Sequence, residues 1–280
     1  MHLRSLKQIV KSCQKGPFAS VAAALASIEQ SFKYRSVVRI LIDKNGDWHN
    51  SRREATFVAT ELHALSFNAV KEAVLDQWCY DYMLKDGDVV IDIGAGIGDD
   101  AVVFSRLVGP KGRVIAIEAH PRTFRCLLKT IEANSLNNVV AINIAVSDQD
   151  GEVGMTDGES YQSSSVVTGG HAVQVPARRL DDILGDLGVL NPILVKMNIE
   201  GAETAALLGM DNTLRAVPHI VVSCHDFIAD GGGEPALRTY NDVKKILQNS
   251  GHKLRSARED SRPWFRYYLY GAKSSLVTSD

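Results

Sequence analysis

Through most of this 280-residue chain, apolar runs of strand length alternate with segments whose apolar positions recur at helical spacing. The sharpest change of period falls at residues 89–108. Val89, Val90, Ile91 and Ile93 form a strand-like run, and Ala101, Val102, Phe104, Leu107 and Val108 repeat as one face of a helix. Between them stand Gly94, Gly96 and Gly98. The pattern predicts strand, tight turn and helix. Glycine tolerates positive φ and has no Cβ, so a ligand can lie against bare backbone at the carboxyl end of the strand.

Further strands are expected at 113–118, 139–146, 193–199 and 220–224, and helices at 69–84, 121–135, 179–187, 203–208 and 240–249. Each crossover is long enough for parallel pairing. The last two strands, 253–256 and 264–270, are joined by a link too short for that and are expected to pair antiparallel. Together these give an α/β fold with a seven-stranded, mostly parallel sheet. Residues 150–175 interrupt the alternation with a Gly- and Ser-rich, hairpin-like insertion.

Residues 1–34 place Leu3, Leu6, Ile9 and Val10, then Val21, Leu25, Ile28 and Phe32, at near-helical spacing. Two short helices broken at Gly16-Pro17 are predicted. A strand at 37–42 leads into Asn45-Gly46, a hairpin signal. This divides the chain into an appendage, 1–68, and a main domain, 69–280. Trp48, Trp78, Tyr80 and Tyr82 could wall a substrate site, although at such spacing they also read as core.

Composition adds limits. Cys13, Cys79, Cys126 and Cys224 are widely separated and show neither disulfide nor zinc spacing, which points to a reducing cytoplasm and no structural metal. No run is long enough for a membrane span, and the first 15 residues read as mature protein rather than a leader. Residues 1–60 hold ten Lys or Arg against four Asp or Glu, a balance of +6 that leaves −8 for the rest of a chain of net charge −2. That basic balance is a solvated helical face or an arm that meets an anionic substrate.

The residues around the glycines decide between ligands. Asp99 and Asp100 stand where a dinucleotide pyrophosphate would bind a helix N-terminus, and they repel it. They favour instead a ligand with an ammonium and a sulfonium, such as S-adenosylmethionine; Asp99 also reads as a plain N-cap. Glu118, 20 residues beyond Gly98, ends the second strand where a carboxylate accepts ribose hydroxyls. A nicotinamide-dependent oxidoreductase on the same strand-turn-helix unit is the alternative, and a non-catalytic cofactor-binding module is another.

Val89–Gly98, 115–121, 145–152, 175–184 with Leu180-Asp181-Asp182, and 195–203 with its Lys-x-x-x-Glu-Gly-Ala-Glu stretch resemble the FkbM family of class I S-adenosylmethionine-dependent methyltransferases. The resemblance covers roughly residues 70–270. It implies a Rossmann-like seven-stranded sheet with an antiparallel last strand and a cofactor across the carboxyl ends of the first strands. It also implies O-methylation of a hydroxyl on a sugar, glycolipid or secondary metabolite. By position, Asp92, Gly94, Gly96, Gly98 and Asp99 would hold the methionine part, Glu118 and Ala119 the ribose, and Ala145, Val146 and Ser147 the adenine side. Gly96 stands where the family often has Asn, and Asn198 where Asp is usual. Asn198 can still bond an ammonium through its amide oxygen, but it cannot act as a base.

Methyl transfer needs a nucleophile aligned and relieved of its proton. Asn198, Glu200, Glu203, His225 and Asp226 lie at the carboxyl ends of the fourth and fifth strands. His225, with Glu200 and Asn198, forms the expected catalytic set, since imidazole titrates near neutral pH. A cation held by Glu200, Asp226 and His225 is disfavoured by Asn198, so no metal is expected. The expected partner is a small or carbohydrate-like acceptor, with no nucleic acid. Residues 1–68 either cover the site or form a homodimer contact.

Overall fold

The computed structural model describes residues 18–63, 65–155 and 173–273. The first of the two helices expected near the N-terminus and residues 156–172 of the insertion lie outside them. The described residues open with the Ala19–Tyr34 helix and an antiparallel sheet of β1 (Arg39–Ile42), β2 (Trp48–Ser51) and β3 (Thr56–Ala59). Asn45-Gly46 makes the β1–β2 turn, with Gly46 at φ +79°. β3 carries no alternation and is not visible in the sequence pattern; its burial is nearly continuous. Its Thr56 and Val58 N–H groups donate to side chains of Asn134 and Thr130, so the main domain covers this edge of the small sheet.

The main domain supplies β4 (Val89–Ile93), β5 (Arg113–Ile117), β6 (Val139–Ile142), β7 (Ala145–Val146), β8 (Gly151–Met155), β9 (Val173–Arg178), β10 (Leu194–Met197), β11 (His219–Ser223), β12 (Lys253–Ser256) and β13 (Tyr268–Ala272). Seven of these form the central sheet in the order β12-β13-β11-β10-β4-β5-β6. Only β13 runs antiparallel to its neighbours. The sheet is buried on both faces. Ile91, Ile115, Val195 and Ile220 pack with Leu180, Leu207 and Val243 on one side. Val90, Val114 and Val221 pack with Val74, Trp78 and Phe104 on the other.

Two strand expectations change. The run 139–146 is not one strand: it leaves the central sheet after Ile142, and Ala145–Val146 pairs with β9 in a second small sheet. Asn143 makes the break by donating its amide to the carbonyls of Glu118 and Ala119, at 2.9 and 2.8 Å. Residues 264–267 are not strand either, because Phe265–Tyr267 forms a 3-10 turn before β13.

The Leu180-Asp181-Asp182 stretch has a structural reason. Asp181 accepts bonds from Asn212 N, Thr213 N and Thr213 Oγ1 at 2.7, 2.8 and 2.7 Å, and so caps the Asp211–Ala216 helix from a distance. Asp181→Ala is expected to lower unfolding free energy by roughly 1–2 kcal/mol in urea titration while leaving cofactor affinity unchanged.

Candidate active site

A cavity of about 800 Å³ opens at the carboxyl ends of β4, β5, β10 and β11. That is where an open α/β sheet accepts ligands. Gly94 has φ +76°, and a Cβ there would lie 2.1 Å from the Asn198 carbonyl oxygen, so only glycine lets the turn lie against the end of β10. Gly96 N donates to Glu118 Oε2 at 2.9 Å, and His120 N donates to Glu118 Oε1 at 2.8 Å. The carboxylate thus ties the glycine turn of β4 to the end of β5. Burial pushes Glu118 up to about 7, against the pull of these two amides.

Gly94, Gly96, Asp99, Glu118, Ala119, Ala145, Val146, Ser147, Asn198, Glu200 and His225 all line this one cavity. Asp92 and Gly98 do not. Asp92 is fully buried behind the wall and ion-pairs with Lys196 at 2.8 Å across the β4–β10 register. Gly98 is buried at φ +86°, where a Cβ would meet Leu127 Cδ1 at 2.6 Å; its role is helix packing. Gly98 also takes the cap position of the Asp99–Val108 helix, so Asp99 is its first residue and not its N-cap.

Lys196 went unassigned from sequence, because a lysine in a strand reads as surface. It is 1% exposed, and its ammonium donates to the Gly94 carbonyl at 2.8 Å and lies 3.6 Å from Asp100. Burial works against this charge, yet Asp92 and Asp100 outweigh it and hold Lys196 above its ordinary range. The remaining charge is unbalanced: one ammonium faces Asp92, Asp99 and Asp100. Burial raises Asp99 and pushes Asp100 up to about 7. Apolar side chains of Ile144 and Val146, with Val153 and Met155 of β8, line the same cavity. The β8 pair was missed because it lies in the segment read only as an insertion.

On the β10–β11 side, His225 Nδ1 lies 2.7 Å from Glu203 Oε1, and Glu203 Oε2 accepts from Thr239 Oγ1 at 3.0 Å. Glu203 is 0% exposed, and the tautomer of His225 that donates Nδ1–H to this carboxylate presents Nε2 as an acceptor. Asp226 is turned away and accepts from Thr239 N and Tyr240 N. Glu200 lines the same cavity as Asn198 and His225, and burial pushes it up to about 7. Among the described residues, Phe227, Trp264 and Tyr268 are the aromatic ones that line the cavity. The expected wall does not form: Trp48 is core of the small sheet, Trp78 stacks on Tyr268, Tyr80 meets Tyr270 and Arg255, and Tyr82 stacks on His219. Among the described residues no group of three or more His, Cys, Asp or Glu could hold a metal ion.

Residues 92–254, more than half of the chain, match the methyltransferase FkbM domain. The chain belongs to the FkbM methyltransferase family. It is 27% identical over 173 residues to the hexuronic acid methyltransferase AglP of Haloferax volcanii, covering 59% of this chain and 64% of that protein. It is 27% identical over 162 residues to the 2-O-methyltransferase NoeI of Sinorhizobium fredii, covering 51% and 65%. The protein-L-isoaspartate O-methyltransferase of Fervidobacterium nodosum is 34% identical over 112 residues, 40% and 52% of the two chains. The chain thus spans less than two thirds of the length of these relatives. The crystal structure of an FkbM methyltransferase from Methylobacillus flagellatus superposes with a TM-score of 0.46 at 20% identity, over 67% of this chain and 44% of that one.

S-adenosylmethionine is the cofactor of this family, and the cavity's chemistry fits it: the carboxyls of Asp99, Asp100 and Glu118 line it together with apolar side chains of Ile144, Val146, Val153 and Met155. Membership sets aside the nicotinamide reading, as the two aspartates already argued.

Proton linkage follows from the raised carboxyls. Asp100 moves from 3.8 to about 7 and Glu118 from 4.5 to about 7, so the folded protein holds these protons longer than the unfolded chain. The free protein therefore loses stability as pH rises between those limits. A cationic ligand and donating ribose hydroxyls favour the ionised forms. S-adenosylmethionine binding near pH 7 is expected to release protons, and S-adenosylhomocysteine, lacking the sulfonium, fewer. Titration calorimetry in two buffers of different ionisation enthalpy measures the difference; equal release by both ligands would remove the sulfonium from the account.

Proposed function

We propose that this chain is an S-adenosylmethionine-dependent O-methyltransferase acting on a hydroxyl of a small, carbohydrate-like acceptor. The His225–Glu203 pair carries the reading, because it brings a buried, oriented base to the same cavity as Glu118 and the glycine turn. Two relatives, a hexuronic acid methyltransferase and a 2-O-methyltransferase, support a sugar as acceptor.

When bound, S-adenosylmethionine supplies a methyl group made electrophilic by its sulfonium. The chain's own residues do the rest. Glu203 accepts the Nδ1 proton of His225 and fixes the ring, which leaves Nε2 to take the proton of the acceptor hydroxyl. Glu203 then sits beside the imidazolium that forms. Asn198 offers an amide oxygen where the family usually has a carboxylate, and Glu200 lines the same cavity. Phe227 and Trp264 present flat apolar surface of the kind that packs against the C–H face of a sugar ring.

We place the protein in the cytoplasm, supported by the buried free thiols of Cys79, Cys126 and Cys224. Residues 1–68 and 69–280 are read as one working unit, because Asp43 and Asp47 ion-pair with Lys129, and Asp47 with Arg125, on the Pro121–Ala133 helix.

The test is incubation with S-adenosylmethionine and a panel of neutral sugars, uronic acids and glycolipids, reading S-adenosylhomocysteine formed and a product one methyl group heavier. Cofactor binding without methylation of any acceptor would leave only a binding module.

A further inference from the structure

The charges that line the cavity are unevenly signed. Asp99, Asp100, Glu118 and Glu200 line it as carboxyls, and among the described residues Lys196 is the single Lys or Arg that does. That ammonium is already committed. It lies 2.8 Å from Asp92 and 3.6 Å from Asp100 and donates to the Gly94 carbonyl. The arginines that flank Trp264 are engaged as well. Arg262 pairs with Asp260 and Asp76, Arg258 lies 4.7 Å over the Tyr240 ring, and Arg266 donates to the Arg258 carbonyl. An acceptor carboxylate would therefore enter this cavity with no free cation among the described residues to meet it, and like charges there oppose it.

Glu200 favours the opposite charge. Asp99 and Asp100 face the Lys196 ammonium, and Glu118 accepts two backbone N–H groups. Glu200 has no hydrogen-bond donor among the described residues; it is half-buried, within electrostatic reach of His225, and an ammonium beside it would draw it to the ionised form. Aromatic surface adds to this. The Phe227 ring lies 5.7 Å from that of His225, and Trp264 lines the same cavity while remaining 46% exposed. A cation gains from the face of an aromatic ring, most of all at Trp. A carboxyl without a donor and two aromatic rings, in the cavity of the base, have the chemistry of an ammonium site.

We propose that the acceptor carries an amino group, and that Glu200 pairs with its ammonium while His225 takes the proton of the reacting hydroxyl. This rests on the methyltransferase reading above and narrows it: an amino sugar is preferred to a neutral sugar, and a uronic acid is rejected. The preference departs from the hexuronic acid methyltransferase to which the chain is similar. The ammonium keeps its proton and is no nucleophile. The hydroxyl oxygen forms the new C–O bond as the sulfonium's C–S bond breaks, and the hydroxyl proton goes to His225 Nε2.

Calorimetry of the full chain saturated with S-adenosylhomocysteine tests this with glucosamine, glucose and glucuronic acid, three acceptors of one ring size. Glucosamine is expected to bind about tenfold more tightly than glucose, and glucuronic acid about tenfold more weakly, from one charge-assisted hydrogen bond gained and one like charge met. Glu200→Gln should bring glucosamine and glucose within about threefold of each other, and Trp264→Leu should narrow the same ratio about threefold, with thermal unfolding as a check on folding. With S-adenosylmethionine, kcat/KM for the three should follow the same order. Binding in that order without any turnover would uphold the charge preference and overturn the methyltransferase reading. Equal binding of the three, binding of none, tighter binding of glucuronic acid, or an unchanged ratio in a folded Glu200→Gln variant would overturn the proposal.

Discussion

Replacing Glu118 by alanine is expected to weaken S-adenosylhomocysteine binding about a hundredfold or more. The carboxylate accepts two backbone N–H groups and lines the cavity at the place we propose for the ribose. Alanine leaves Gly96 N and His120 N without that acceptor and removes the ribose contact as well. Hydrogen bonds to a charged group contribute roughly 1.5–3 kcal/mol each, so losing the two proposed from the ribose hydroxyls reaches about a hundredfold in affinity. Titration calorimetry reads the change, and thermal unfolding without ligand separates it from misfolding. Unchanged affinity in a folded variant would remove Glu118 from the cofactor site. Glu118→Gln should fall between the two, because an amide can accept from one N–H but turns its own NH2 toward the other.

His225→Gln is expected to lower kcat about a hundredfold to ten-thousandfold, the usual range for loss of a general base, while S-adenosylhomocysteine affinity stays within about twofold. The split matters, since a residue that only shaped the cavity would move binding too. Glu203→Gln keeps the size of the side chain but not its charge, and should reduce kcat less while shifting the pH–rate profile, because it acts through His225. A folded His225→Gln variant with full turnover would send the search for the base to Glu200.

What could be read from residues alone follows from the range of the forces involved. The glycine turn, its flanking strand and helix, and Glu118 are local, because φ freedom at Gly94, the strand-to-helix change of period and the end of the next strand all fall within residues 89–118. Asp92 was misplaced for a non-local reason: its register opposite Lys196 on β10, 104 positions later by 196 − 92, exists only once β4 and β10 pair. The same pairing turned a strand lysine into a buried counter-ion. Helix and strand limits shifted where side chains override period, as at Asn143, which cuts one apolar run into two strands. Trp264 and Phe227 replaced the expected aromatic wall because cavity lining depends on where loops after strands converge, which hydrophobic pattern does not encode.

The edge of β3 sets an order of events during synthesis. Its Thr56 and Val58 N–H groups find their partners at Asn134 and Thr130, 78 and 72 positions later. At ribosomal speeds of about 5–20 residues per second, the small sheet waits roughly 4–16 s before the chain that covers it exists. For that interval β3 is an open template for another strand. Chains stalled on the ribosome short of residue 121 should therefore leave residues 18–60 sensitive to protease, and chains stalled well past residue 134 should protect them. The appendage comes first in the chain but completes its contacts late, and a slow or paused ribosome between residues 60 and 134 lengthens the period in which this protein is open to aggregation.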